Sequence, residues 1–411
     1  MNDLRVGLVT WDFPLVSETF VINLAADLLR SGVDLRVLAL DPAAARDGGG
    51  PGHDEALLAP LRGRVLRAAD PPSGDGGDLR RRALRRALAL AGAVLPAERT
   101  ATARLLANVA PFDVLHCQFG TLGLGMIRPR RLGLLGDAAL LVHLRGYDIT
   151  TFVRKRGPDV YAQVFREADL LIANCGHFRD RAVALGADPD AVRIIGSPID
   201  GDFFAPPAAR EPYGDRPLRL VAVGRLVEKK GFADAIAATG HLVREGRSVE
   251  LTILGEGALR PDLEHQVADL GLGGVVRLPG AAGREAVRAA LHNADIALAP
   301  SVTAESGDAD APVNTLKEAM ATEMPVVATT HGGIPELVIP GENGALVPER
   351  DPAALARAVA DLADRPDRWA ALGAAGRRKT LEDFASESVL RRTLAAYAEA
   401  RARRQARRES R

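Results

Sequence analysis

The chain has 411 residues, 47% of them hydrophobic and 26% charged, with 53 basic side chains against 53 acidic ones. That length provides for two or three domains with sizeable cores, and a formal net charge of zero lacks the basic excess that a nucleic-acid partner calls for. Two cysteines, Cys117 and Cys175, are too few for a disulfide framework; both sit in apolar runs and read as reduced core thiols of a cytosolic protein.

The N-terminus enters a strand within five residues and lacks the hydrophobic region of a signal peptide. No apolar run approaches the ~18–20 residues of a membrane-spanning helix. The expected location is therefore the cytoplasm, with peripheral membrane contact left open.

In chain order, the first half offers strands at RVGLV (5–9), LRVLAL (35–40), DVLHCQF (113–119), ALLVHL (139–144), LLIANC (170–175) and VRIIG (192–196). The second offers LRLVAVG (218–224), VELTILG (249–255), VVRLPG (275–280), IALAPS (296–301), PVVATT (325–330) and GALVP (344–348). Continuous apolar strands alternating with helical patterns predict parallel sheets covered on both faces. FFAPPAAREPYGDRP (203–217), with four prolines and no periodicity, predicts a linker. The expectation is an α/β chain of two Rossmann-like domains facing each other across a cleft. Residues 1–206 form the first domain and 215–384 the second. Segments 41–54 and 70–78, rich in Gly, Pro and Asp, predict loops, and LRRRALRRALALAGAVL (79–95) a basic amphipathic helix with a solvated or a lipid-facing side.

The first strand runs into TWDFPLVSETF (10–20), which lacks the Gly-x-Gly-x-x-Gly of a dinucleotide fold and so argues against an NAD enzyme. Ser17 reads as a helix N-cap, with Glu18 and Thr19 in the first turn. In the second half, strand 218–224 runs into VGRLVEKKG (223–231). Gly224 permits a tight turn, and Arg225 and Lys230 flank a loop before a helix, a pattern suited to a diphosphate. After strand 296–301 comes GDADAPVNTLKEAMA (307–321). Pro312 predicts the first helical residue, and the free N–H groups around Val313, Asn314 and Thr315 then face an anion. Asp310 and Glu318, eight residues apart, would lie ~12 Å apart along such a helix, enough to grip hydroxyls at both ends of a nucleotide-sugar.

VGRLVEKKG, ILGEG (253–257), the acid-x7-acid segment ending EAMA, and ATTHGGIPELVIPGENGALV (328–347) together resemble the donor half of the retaining glycosyltransferases of family 4. FPLVSETFVINL (13–24) is similar to the start of the colanic-acid and exopolysaccharide type within that family. HCQFG (116–120) and HLRGYDIT (143–150) stand where such proteins carry related motifs. The resemblance implies the GT-B fold and metal-independent transfer, with no cofactor beyond the nucleotide-sugar, for which a UDP-sugar is favoured. It implies a glycan, lipid-linked or small-molecule acceptor. Arg225 and Lys230 would neutralise the diphosphate, Asp310 hold sugar hydroxyls and Glu318 the ribose, with Ser17, Glu18, Thr19 and His116 on the acceptor side. Departures are Asp310 in place of Glu, Gln118 at a place often held by His, and Arg145 in place of the His before Gly-x-Asp. Arg145 either pairs with Asp148 or reads a polar group at C6 of the donor sugar.

Asp308-Ala-Asp310 could also ligate a divalent metal, but Arg225 and Lys230 already supply the charge a metal would bring, and the expectation is none. An epimerase or hydrolase on the same fold and an inactive binding subunit stand as alternatives. The C-terminal stretch 387–411 predicts a helix that crosses back onto the first domain, with six arginines from Arg401 onward forming a solvated tail.

Overall fold

A computed structural model describes residues 4–15, 18–41, 55–68, 102, 105–106, 109, 111–310 and 313–410. The basic segment 79–95 and the loop segments 42–54 and 70–78 lie outside the described residues, as do Ser17 and Pro312. The chain divides into two compact units. One comprises Met1–Asn174, Arg179–Ile195 and Leu390–Arg411, the other Cys175–Phe178 and Gly196–Val389. The stretch 196–206, expected in the first domain, thus belongs to the second unit.

The first unit is built on seven parallel strands: β1 (Arg5–Thr10), β2 (Asp34–Ala39), β3 (Val65–Arg67), β4 (Val114–Cys117), β5 (Ala139–Leu144), β6 (Leu170–Ala173) and β7 (Val192–Ile194), in the order β3-β2-β1-β4-β5-β6-β7. Every residue of β5 is buried, as a central strand with both faces covered requires. Strand β3 was not expected. Its three residues pair with Val37–Ala39 at the sheet edge, too short a run to show periodicity.

The second unit carries β8 (Leu218–Val223), β9 (Val249–Leu254), β10 (Val276–Gly280), β11 (Ile296–Ala299), β12 (Val326–Thr329) and β13 (Ala345–Val347), all parallel, in the order β10-β9-β8-β11-β12-β13. Alternate residues of β8 serve different cores. Leu218, Leu220 and Ala222 pack with Ile236, Leu251 and Leu355 on one face, while Val221 packs with Leu316, Met320 and Val326 on the other. In both sheets the strand order reverses beside the first strand of the unit, the place where open parallel sheets bind ligands at strand carboxyl ends.

Helix Ser386–Glu409 docks on the first unit, where Tyr397 is fully buried. Four of its arginines, expected to be solvated, are engaged. Arg407 donates to the Ala168 carbonyl (2.9 Å), Arg404 to Gly136 (3.3 Å) and Arg403 to Asp190, while Arg408 pairs with Asp137 at 2.8 Å. Carbonyls 166–168, at the end of helix Ala162–Glu167, offer the negative end of a helix dipole. Among the described residues no helix is long and apolar enough to cross a membrane.

Candidate active site

In the second unit, β8 delivers Gly224 and Arg225 into a loop that closes through the short turn Glu228–Lys230 and Gly231 before helix Phe232–Arg244. Two glycines set how tightly this loop packs. Gly231 has φ +63°, and a Cβ there would lie 1.8 Å from the Pro300 carbonyl oxygen. Gly255 admits no side chain because its Cβ would fall 1.8 Å from the Gly224 oxygen. The Lys229 carbonyl also accepts from Val302 N–H at 2.9 Å, so the loops after β8 and β11 are stitched together.

The charges converge on Asp310. Its carboxylate accepts from Lys230 Nζ at 2.8 Å and Ser301 Oγ at 3.2 Å, and lies 3.3 Å from Lys229 Nζ, which also pairs with Asp308 at 3.0 Å. Burial by itself would raise the Asp310 carboxyl, but the ammonium groups of Lys230 and Lys229 outweigh it and hold the group well below the ordinary carboxylate range. Arg225 is exposed, and its guanidinium has no partner among the described residues.

Asp310 is not on a helix, contrary to expectation. Helix Asn314–Ala321 begins four residues later, with Val313 at the N-cap position. Tertiary hydrogen bonds hold the preceding segment open: Asp310 N–H donates to His331 Nε2 (2.9 Å), and its carbonyl lies 2.1 Å from where a Cβ on Gly332 would stand. The spacing along a helix therefore does not apply to Asp310 and Glu318. Since His331 Nε2 accepts, its proton sits on Nδ1, 2.6 Å from Glu349 Oε1. This Asp310–His331–Glu349 chain fixes the loop.

Glu318 is half-buried, and burial lifts its carboxyl to about 7 against the opposing charges of Arg284 and Lys317. Thr315 Oγ1 donates to the Val223 carbonyl at 2.9 Å, pinning the helix start to the end of β8. Lys317, only 1% exposed, donates to the Ser197 carbonyl (3.0 Å) and to Asn314 Oδ1 (3.2 Å) and lies 4.1 Å over the Phe384 ring. The N–H groups of Asn314 and Thr315 have no acceptor among the described residues, as a first helical turn dictates.

The first unit has a different centre. Helix Thr19–Arg30 has Glu18, not Ser17, at its N-cap position, and Glu18 makes no capping bond. Its half-buried carboxylate lies 3.5 Å from Thr10 Oγ1, and burial raises it to about 7 in spite of the Arg145 charge; Thr19 is exposed. His116 is 1% exposed and its Nδ1 lies 2.9 Å from the Tyr397 hydroxyl, with the His143 ring stacked on it at 5.6 Å. Burial, then the Arg145 charge, lowers His116 to about 3, so the ring is neutral and sealed. That corrects the acceptor role expected of it.

Arg145 is buried as well. Its guanidinium donates to the Gln118 carbonyl (2.9 Å), to Gln118 Oε1 (2.5 Å) and to Asn174 Oδ1 (3.2 Å), and covers the Phe20 ring at 4.3 Å. Asp148 instead takes four backbone N–H groups, from Gly120, Arg145, Gly146 and Ile149. Arg145 is thus a buried cation held in part by the amide groups of Gln118 and Asn174.

Residues 217–365 match the family described as Glycosyl transferases group 1, and residues 17–198 match Glycosyl transferase 4-like domain. WcaL of Escherichia coli (strain K12), provisionally named a colanic acid biosynthesis glycosyltransferase, is 32% identical over 97% of this chain and 100% of its own length. The chain belongs to glycosyltransferase family 4. Within the family it groups with exopolysaccharide enzymes: the amylovoran biosynthesis glycosyltransferase AmsK of Erwinia amylovora is 30% identical over 86% of this chain and 89% of its own. The fold is GT-B. The Anabaena HepE structure in complex with UDP superimposes with a TM-score of 0.73 at 16% identity, covering 96% of this chain and 99% of that one.

Reading the sequence of this glycosyltransferase missed Lys229, Lys317 and the His331–Glu349 pair. A signal for the lysines was present. The chain has only five, at 155, 229, 230, 317 and 379, and three of them gather in this region. Where arginine is the default cation, a retained lysine marks a position needing a compact ammonium.

Proposed function

We propose that this glycosyltransferase transfers a sugar from a UDP-sugar to a hydroxyl of a glycan or lipid-linked acceptor, with retention of anomeric configuration and without a metal ion. One observation carries the reading. At the carboxyl ends of β8 and β11, two lysines converge on Asp310 beside an exposed Arg225 and an open helix start. A departing nucleoside diphosphate carries about two or more negative charges. Arg225 is free to take them, and Lys230 and Lys229 can share their protons between Asp310 and phosphate oxygens.

Glu318 as a carboxylate accepts from the ribose hydroxyls, and Asp310, already held ionised, accepts from the sugar hydroxyls. As the glycosidic bond loosens, the leaving phosphate oxygen takes the proton of the acceptor hydroxyl on the same face, so no protein nucleophile is called for. The two aspartates of Asp308-Ala-Asp310 are engaged by Lys229 and Lys230, and this supports charge compensation by side chains rather than by a metal. HepE, solved with UDP-glucose, supports a uridine nucleotide as donor. The relatives are glycosyltransferases, and neither the epimerase or hydrolase alternative nor an inactive subunit gains support from them.

The deciding experiment is thermal unfolding with UDP, GDP and a set of their sugars, in excess EDTA. A ligand at 100 times its Kd stabilises by about 2.7 kcal/mol, so a true donor is visible at millimolar concentration. Stabilisation by UDP and one UDP-sugar, undiminished by EDTA, is the expected result. Stabilisation only after Mg²⁺ or Mn²⁺ is restored would return Asp308 and Asp310 to the role of metal ligands.

A further inference from the structure

The chain is poor in aromatic residues, with two tryptophans and four tyrosines, yet Trp11 is 44% exposed and Tyr147 50% exposed. Trp11 directly follows β1, and Tyr147 lies three residues beyond the end of β5. Both therefore stand at the carboxyl edge of the first sheet, on either side of β4, where the strand order reverses.

Neither ring is exposed by looseness. The Trp11 turn is pinned on both sides: Asp41 N–H donates to the Trp11 carbonyl (2.7 Å), Thr10 Oγ1 to the Asp12 carbonyl (3.1 Å), and Arg67 pairs with Asp12 at 3.0 Å. The Tyr147 turn is held by the four N–H groups gathered on Asp148. One short segment anchors both. Trp11 Nε1 donates to Thr121 Oγ1 at 3.2 Å, and the neighbouring Gly120 N–H donates to Asp148 at 2.7 Å. Two large apolar rings held outward by rigid, hydrogen-bonded turns are a preformed contact surface.

We propose that Trp11 and Tyr147 form a stacking platform for a sugar ring of the acceptor, which makes the acceptor a glycan. The inference rests on the proposed transfer and on taking the first unit, whose Glu18 and Thr19 the family resemblance puts on the acceptor side, as the one that receives the acceptor. The C–H face of a hexose is apolar while its rim is polar, and it pairs naturally with the flat face of an indole or phenol whose polar tip is already engaged or reaches water. Exposed Arg154, Lys155 and Arg156 lie next to the platform, with Lys155 Nζ 6.0 Å from the Tyr147 ring centre. A membrane surface is therefore the rival partner.

The only other tryptophan, Trp369, stacks on Tyr213 in the second unit, so Trp369→Phe keeps an aromatic ring there and leaves Trp11 as the sole indole. In that protein, Trp11 emission is titrated with neutral trisaccharides of glucose, galactose and mannose, and with phosphatidylglycerol vesicles. A saturable change with at least one trisaccharide is expected. Tyr147→Ala should weaken it about tenfold, and Tyr147→Phe should change it less than twofold. No saturable change with any trisaccharide, or a change with vesicles alone, overturns the platform. The shift in Tm caused by UDP, measured in parallel, tests the donor reading separately and should be the same in every variant.

Discussion

The two units share one strand order, apart from the added edge strand β7 of the first, and solve opposite electrostatic problems. In the second, a buried carboxylate gathers two ammonium groups, and Arg225 beside them is exposed and unengaged. In the first, a buried guanidinium is held by Gln118 and Asn174, and the carboxylate three residues along is held by backbone N–H groups. On the proposed function, the second centre would hand cations to an incoming diphosphate, because ion pairs exchange partners. The first cannot release its charge without taking the Arg145 donor from both oxygens of Gln118. Equivalent places in two Rossmann-like sheets thus differ in which charges are transferable.

The largest expected effect breaks the cluster outright. Removing both ammonium groups, in Lys229→Ala with Lys230→Ala, leaves Asp310 buried and unpaired, a situation that costs about 3–5 kcal/mol. Chemical denaturation should show that loss, and Asp310→Asn added to the double variant should recover part of it. Unchanged stability in the double variant would mean Asp310 does not depend on its lysines.

Next is Arg225→Ala, which should leave stability as it is and lower kcat/KM at least tenfold. The loss corresponds to one charge-assisted hydrogen bond of about 1.5–3 kcal/mol. Near-native kinetics would remove Arg225 from the diphosphate site.

A pH titration sharpens the contrast further. Glu318 titrates at about 7 because burial disfavours its charge. If the ionised form accepts the ribose hydroxyls, donor affinity is full above pH 7 and falls as pH drops through it, approaching tenfold per unit below. Glu318→Gln should flatten that profile, and so isothermal titration with UDP at pH 5.5, 6.5 and 8 decides the point. Lys317→Met, which removes one of the two cations opposing burial, should move the same profile to higher pH.

The smallest effect belongs to the first unit. Arg145→His should leave the preference between a uronic-acid donor and its neutral hexose unchanged, while lowering stability by about 1–3 kcal/mol as Gln118 and Asn174 lose donors. A changed donor ratio would show that Arg145 reads the sugar after all.

Among the described residues, twelve of the thirteen strands were legible as mainly apolar runs bounded by turn residues, because the central strands of a sheet covered on both faces are apolar along most of their length. The placing of Arg225 and Lys230 on the loop after a strand, and of Glu318 on the helix after β11, was legible because a strand, a glycine and a helix start are neighbours in the chain. Tertiary contacts decided the rest. Asp310 is pulled off the helical path by His331, 21 residues later, and its partner Lys229 is 81 residues earlier. His116 lies in an apolar strand run and is put on the acceptor side only by the resemblance, but it is closed by Tyr397, 281 positions away. The C-terminal arginines, solvated on any local reading, meet carbonyls of a segment more than 200 residues upstream. Local composition and period determine which residues form strands and helices, since those depend on neighbours along the chain. Which charge meets which carboxylate, carbonyl or ring depends on residues that only the folded sheet order brings within hydrogen-bonding distance.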